Sequence, residues 1–190
     1  MKIKLIKFKR VKSTNDIAIK LIKSNKIQPT LIFSEKQTKG RGTRGKKWIS
    51  AKGNLFISVY FEIDQKKINF KRFAILNAFI IRKLISKFIS KKIRIKWPND
   101  LLYKKNKICG ILQEVIINNK KNYLIVGIGL NTNVVPKNKS FSSTSLKNII
   151  NKKIDNKKIV KNIHSRYEKF LIEMKRFSYG TLKTRYKKLK

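Results

Sequence analysis

Three stretches of this sequence combine residue types that ordinary packing does not need. Lys39–Trp48 reads KGRGTRGKKW. Glycines at 40, 42 and 45 leave backbone N–H groups open to close approach by an anion, and the cations between them bring charge and forked donors to a phosphate or carboxylate. A solvated basic loop has the same composition. Trp48 weighs against that reading, because an indole is costly to leave in water and can stack on a purine. The second stretch is Lys96-Trp97-Pro98-Asn99-Asp100, followed by Lys107-Ile108-Cys109-Gly110-Ile111-Leu112. Asp100, one of only 9 acids, can hold Mg2+ or a loop amide, or can cap an Asx turn. Lys107 stands at the threshold of a buried strand, where a lysine either reaches an anionic head group or snorkels to the surface. The third stretch is Val126–Asn133, VGIGLNTN. No helix follows its Gly-x-Gly, which argues against a dinucleotide-binding turn and for a bulge or a place where a ligand lies against the backbone.

The rest of the composition bounds this chemistry. The 190 residues include one cysteine, Cys109, and one histidine, His164. An internal disulfide, a Cys-x-x-Cys metal site and a histidine-rich metal centre are excluded, and a Ser-His-Asp triad fits poorly. Lysine and arginine number 49 against 9 acids, a formal charge of +40, which invites a reading as a basic nucleic-acid-binding module. Lysine outnumbers arginine 40 to 9, and alanine occurs only at 18, 51, 74 and 78. The favoured residues share A/T-rich codons, so base composition accounts for the charge better than selected phosphate recognition, which leans on arginine's fork. Apolar runs such as Leu124–Val126 end within a few residues, far short of the roughly 20 that a membrane helix needs. Met1–Lys9 alternates lysine with apolar residues and lacks the apolar core of a signal peptide. The expected setting is a reducing cytoplasm, with no membrane partner.

Alternation over Lys2–Val11, the compact Thr30–Ser34, Gly53–Glu62, Ile93–Trp97, Leu101–Tyr103, Lys107–Ile117 and Tyr123–Asn133 predicts strands. Asn118–Asn122 is the clearest hairpin turn. Ser13-Thr14-Asn15-Asp16 suits a helix N-terminus, with Asp16 closing an S-x-x-D cap before Ile17, Leu21 and Ile22. Helical spacing covers Phe70–Ile89 and Lys157–Phe177, and a short helix begins in Ser142–Asn148. Gln37–Lys52 reads as a long loop. The class is α+β: one mixed, largely antiparallel sheet with flanking helices, in a single domain over residues 1–190.

Taken together, these motifs resemble the biotin protein ligase family, the biotin–[acetyl-CoA-carboxylase] ligases. STND at Ser13–Asp16, Lys39–Ser50, GNLFISV at Gly53–Val59, KWPNDL at Lys96–Leu101, Lys107–Glu114 and GIGLNTN at Gly127–Asn133 occur in family order, and TSL at Thr144–Leu146 also fits. The resemblance implies the catalytic-domain fold shared by biotin and lipoate ligases and by class II aminoacyl-tRNA synthetases. It implies activation of biotin by ATP to biotinyl-5′-AMP, with Mg2+ as counter-ion. Transfer to a lysine of the biotin carboxyl carrier protein of acetyl-CoA carboxylase follows. Lipoate ligation on the same fold is the enzymatic alternative.

Matching motif positions implies biotin contacts from Ser13, Thr14, Asn15, Gln37, Arg41, Gly42, Thr43, Lys107, Gly110 and Gly127. Arg44, Lys46, Trp48 and Asn131 would face the nucleotide. Lys107, Arg41 and Asp100 would carry the chemistry, with no residue set expected to form a resident metal centre. The family usually has arginine where this sequence has Thr43, which implies weaker retention of the adenylate. Only twelve residues precede Ser13, too few for a helix-turn-helix, so the expectation is a monofunctional form without specific DNA binding. No C-terminal β-barrel is expected after the last helix. Pairing of two copies through a sheet edge is common in the family and stays open here.

Overall fold

The structure, a computed structural model, describes residues 2–137 and 141–188. Seven strands form one sheet: β1 (Lys4–Phe8), β2 (Thr30–Ser34), β3 (Leu55–Ile63), β4 (Arg94–Lys96), β5 (Asp100–Tyr103), β6 (Asn106–Asn118) and β7 (Lys121–Leu130). Their order is β1-β2-β3-β7-β6-β5-β4. β1 and β2 are parallel and the other neighbours antiparallel, so the sheet is mixed as expected. A parallel pair needs a crossover, which α1 (Thr14–Lys23) supplies.

Side-chain alternation gives the two faces different jobs. Leu31, Phe33, Leu55, Ile57, Val59, Phe61, Leu124, Val126, Ile128 and Leu130 belong to a large core with α2 (Phe70–Ile89), α4 (Asn156–Arg176) and α5 (Tyr179–Lys187). Each such side chain, fully buried, contributes about 1.5–3 kcal/mol. Ile32, Tyr60, Tyr123 and Ile125 form a smaller core with Ala18 and Ile22 of α1. Farther along β7 and β6 this second face is bare at three glycines: Gly127 faces Ser58 of β3, and Gly129 faces Gly110 of β6. The functional cleft lies over this stripped region.

Several element boundaries move for identifiable reasons. The first strand stops at Phe8, and Val11 keeps only a bridge to Gln37. The helix expected from Ser142 is α3 (Leu146–Ile150), capped by Ser145 accepting from Asn148 N. Residues 142–144 are instead drawn alongside Lys107, whose N–H donates to Ser142 O (3.0 Å) and whose carbonyl accepts from Thr144 N (3.0 Å). The last strand ends at Leu130 rather than Asn133. α5 was not foreseen: Leu182 and Tyr186 are its buried residues, one contact every turn and too sparse a stripe to read.

One polar chain crosses the large core. Tyr167 Oη donates to Asn77 Oδ1 (2.9 Å), and Asn77 Nδ2 donates to Gln113 Oε1 (2.5 Å). Burial pushes the Tyr167 phenol well above its usual pKa, so it stays a donor. Tyr167→Phe strands Asn77 Oδ1, and the expected cost is about 1–3 kcal/mol. A melting curve should show the midpoint fall by several degrees; an unchanged midpoint would mean that water satisfies the amide.

Candidate active site

The cleft is built from the start of α1, the segment after β2 and the strands β6 and β7. Ser13 caps α1 by accepting from Asp16 N (3.4 Å), which places Thr14 and Asn15, both buried, at the sheet's bare region. Gln37 Oε1 accepts from Thr14 N (2.8 Å) and Thr14 Oγ1 (3.1 Å), while its Nε2 donates to Ser50 Oγ (3.1 Å). Ser58 Oγ lies 2.7 Å from Thr14 Oγ1 and 2.5 Å from Asn15 Oδ1. Asn15 Nδ2 donates to Glu114 Oε2 (2.7 Å). This amide and hydroxyl row has paired donors and acceptors at fixed spacing, the chemistry a ureido or amide ring requires.

Above it the glycine-rich segment folds as a tight flap. Gly42 N donates to Lys46 O (2.6 Å), Trp48 N donates to Gly40 O (2.9 Å), and Arg41 bridges Lys47. Its tip, Thr43–Gly45, is a short 3-10 turn in which Arg44 takes a left-handed φ of 55°. Trp48 turns inward. A Cβ on Gly110 would stand 2.6 Å from its Cζ3, and one on Gly129 would collide with the same indole, so both glycines exist to admit that ring or whatever replaces it. The indole N–H is buried and has no partner among the described residues. The free volume left is about 90 Å³, below the roughly 300 Å³ at which small-molecule sites begin. A ligand lying on these glycines therefore has to displace the indole.

Lys107 enters from the threshold of β6. Its Nζ is 2.7 Å from Asp100 Oδ1, with side-chain exposures of 16% and 22%. The same ammonium is 5.2 Å from the Trp48 ring centre and 5.0 Å from that of Phe141, within cation–π range. Its backbone is fixed by the strand on one side and residues 142–144 on the other. Asn131 ties the two together, donating from Nδ2 to Thr144 O (3.2 Å) and Lys107 O (3.5 Å). Burial pushes the Cys109 thiol's pKa upward, with the Lys107 charge opposing, so this neighbour is a packed thiol and no nucleophile.

Ser13, Thr14, Asn15, Gln37, Arg41, Gly42, Thr43, Lys46, Trp48, Asp100, Lys107, Gly110 and Gly127 thus line one cleft. Arg44 lines an adjoining hollow, and Asn131 is buried as a strut. Glu114, Ser58 and Gly129, which lie in the quoted motifs but were assigned no contact, join the site, as does Phe141 from outside them. Glu114 and Gly110 are four residues apart on β6 and so share a face, a signal available from sequence alternation alone. Phe141 follows no pattern and could not have been found that way. Among the described residues no three His, Cys, Asp or Glu side chains converge on a cation position. Among the described residues Asp100 is the carboxylate beside Lys107, which suits a Mg2+ ion that arrives on phosphates and takes few protein ligands.

Amide donors, glycine floor and cationic flap converge on one slot, an arrangement able to seat an anionic group beside cations. The chain belongs to the biotin/lipoate A/B protein ligase family, whose model matches residues 7–131. It is 31% identical over 163 residues to the bifunctional ligase/repressor BirA of Bacillus subtilis, covering 83% of this chain and 50% of that protein. It is 28% identical over 140 residues to the biotin–[acetyl-CoA-carboxylase] ligase of Mycobacterium tuberculosis, covering 70% and 51%. This chain spans about half the length of these relatives. Among solved structures, it resembles the biotin protein ligase from Aquifex aeolicus in complex with biotin and ATP, with a TM-score of 0.80 and 29% identity over 96% of this chain and 76% of that one. An archaeal lipoate protein ligase from Thermoplasma acidophilum shares the fold at 12% identity and a TM-score of 0.61.

Proposed function

We propose that this chain joins biotin to ATP, forming biotinyl-5′-AMP and pyrophosphate, and then passes the biotinyl group to a lysine of a biotin carboxyl carrier protein in the cytoplasm. The observation that carries the reading is that Lys107, the cationic flap and the Thr14–Asn15–Ser58 amide row all open onto one glycine-floored slot. The likeness to biotin ligases over most of the chain supports biotin as the acid. Biotin's ring system meets Thr14, Asn15 and Gln37, and its chain lies along Gly127 and Gly110. A carboxylate oxygen then attacks the α-phosphorus, the bond to the β,γ-phosphates breaks, and pyrophosphate leaves.

Two anions must meet for that step, so the work is positioning and charge neutralisation. Lys107 exchanges its Asp100 partner for the biotin carboxylate and an α-phosphate oxygen. Arg41 and Lys46 close from above. Asp100 would be the protein ligand for a Mg2+ ion, which would supply further charge neutralisation. In the second step the carrier lysine's amine attacks the acyl carbon and AMP departs. Because no protein nucleophile intervenes, the mixed anhydride must be retained between steps.

Retention bears on Thr43, which lines the cleft and is exposed. A guanidinium there would add charge-assisted bonds worth about 1.5–3 kcal/mol. Thr43→Arg should slow biotinyl-5′-AMP dissociation about ten- to a hundredfold and lower stray biotinylation of bystander lysines. Rapid-filtration measurement of the bound adenylate tests this, and an unchanged dissociation rate would sink it. The function itself is tested by pyrophosphate release with ATP and biotin, lipoate or neither. Release with biotin alone is expected; release with lipoate instead, or with neither acid, overturns the reading.

A further inference from the structure

We infer that Asp16 and Glu114 are positioning residues that latch the cationic flap shut through Arg41. Asp16 lies in the first turn of α1 and Glu114 on β6, yet both reach one guanidinium: Arg41 Nε is 3.1 Å from Asp16 Oδ1 and Arg41 Nη2 is 2.5 Å from Glu114 Oε2. In a chain with 9 acids against 49 basic residues, two carboxylates on one arginine are a large share of the negative charge. Among the described residues the other flap cations, Lys39, Arg44, Lys46 and Lys47, have no carboxylate partner.

Helix capping does not need the Asp16 carboxylate. Ser13 Oγ does that work, and the acid is left to face the flap. Glu114 has a second task, because the same Oε2 accepts from Asn15 Nδ2 at 2.7 Å. Flap and pocket wall are therefore joined through one oxygen atom. The two acids occupy Nε and Nη2 of the fork, which leaves the Nη1 hydrogens for a bound anion. A closed flap thus presents Arg41 pre-oriented, with its long side chain already immobilised before substrate arrives.

The latch is a property of the fold; its consequence for adenylate retention rests on the ligation reading. Trypsin tests the first part directly, since the flap offers Lys39, Arg41, Arg44, Lys46 and Lys47. In the ligand-free protein, cleavage within the flap should rise about threefold in Asp16→Asn or Glu114→Gln and about tenfold in the double variant, tracking the opening equilibrium. Asp16→Glu should restore protection, while Glu62→Gln, which removes the exposed pair with Lys121, should cleave like the parent. In the second part, the double variant should release biotinyl-5′-AMP faster and raise KM for biotin more than it lowers kcat. Parental cleavage in a double variant with an unchanged melting midpoint overturns the latch. Accelerated cleavage in a protein that forms no adenylate leaves the latch standing and removes the ligation reading instead.

Discussion

Lys107→Met should reduce biotin-dependent pyrophosphate release about 10²–10³-fold, the usual loss when one preorganised donor is taken from a developing anion. The ammonium is the partner of Asp100 at 2.7 Å, and methionine has a similar length with no charge. Loss of the ammonium leaves a half-buried carboxylate unpaired in the cleft. That costs stability and also repels the incoming phosphate. The double variant Lys107→Met with Asp100→Asn separates these effects. Its melting midpoint should return toward the parent's while its rate stays low. Recovery of rate together with stability would show that Lys107 acts only by neutralising Asp100.

Gly127→Ala is expected to be nearly as damaging, for a steric reason. A Cβ at this position would be driven into Asn15 Oδ1, and Asn15 is buried and held by both Ser58 and Glu114. The amide has nowhere to retreat, so overpacking should cost about 1–3 kcal/mol of stability. Strain on Asn15 also disturbs its proposed contact with biotin, and KM for biotin should rise tenfold or more, about 1.4 kcal/mol of binding. Gly180→Ala is the control: its nearest neighbour would be Ser178 Oγ at 3.8 Å, and an alanine within α5 should be neutral or slightly stabilising. Equal behaviour of the two variants would mean that the slot is not packed against Gly127.

Strong periodicity made much of this molecule readable before its fold was known. α2 and α4 announce themselves because apolar residues recur at 3.6-residue spacing over twenty positions. The Gly-rich flap was legible because its composition has no packing use. Pairing was harder. Nothing local says that β1 runs parallel to β2, since the crossover through α1 depends on which face each helix can bury. Asp16 illustrates the limit. Its place in the S-x-x-D pattern reads as a cap, and only the distant Arg41 reveals its other partner. Asn131, expected on the nucleotide, has a further role the sequence does not show, bracing the backbone of Thr144 and Lys107. Side chains that act across about twenty-five residues of sequence leave no periodic trace.

The hairpin joining β6 to β7 is also a gauge. Asn118 pairs with Lys121, so Asn119 and Lys120 alone make the bend, with φ of 47° and 60°, the two-residue geometry that sets strand alignment. That tiny corner, remote from any chemistry, decides which residues face which across the ladder as far as Gly110 and Gly129. Were the ribbon to slide by a single step, every side chain would exchange faces, and Ile111 and Ile128 would fill the glycine-floored hollow. The aperture of this protein is thus metered at its tip, and changes there should be felt as changes in what the mouth can admit.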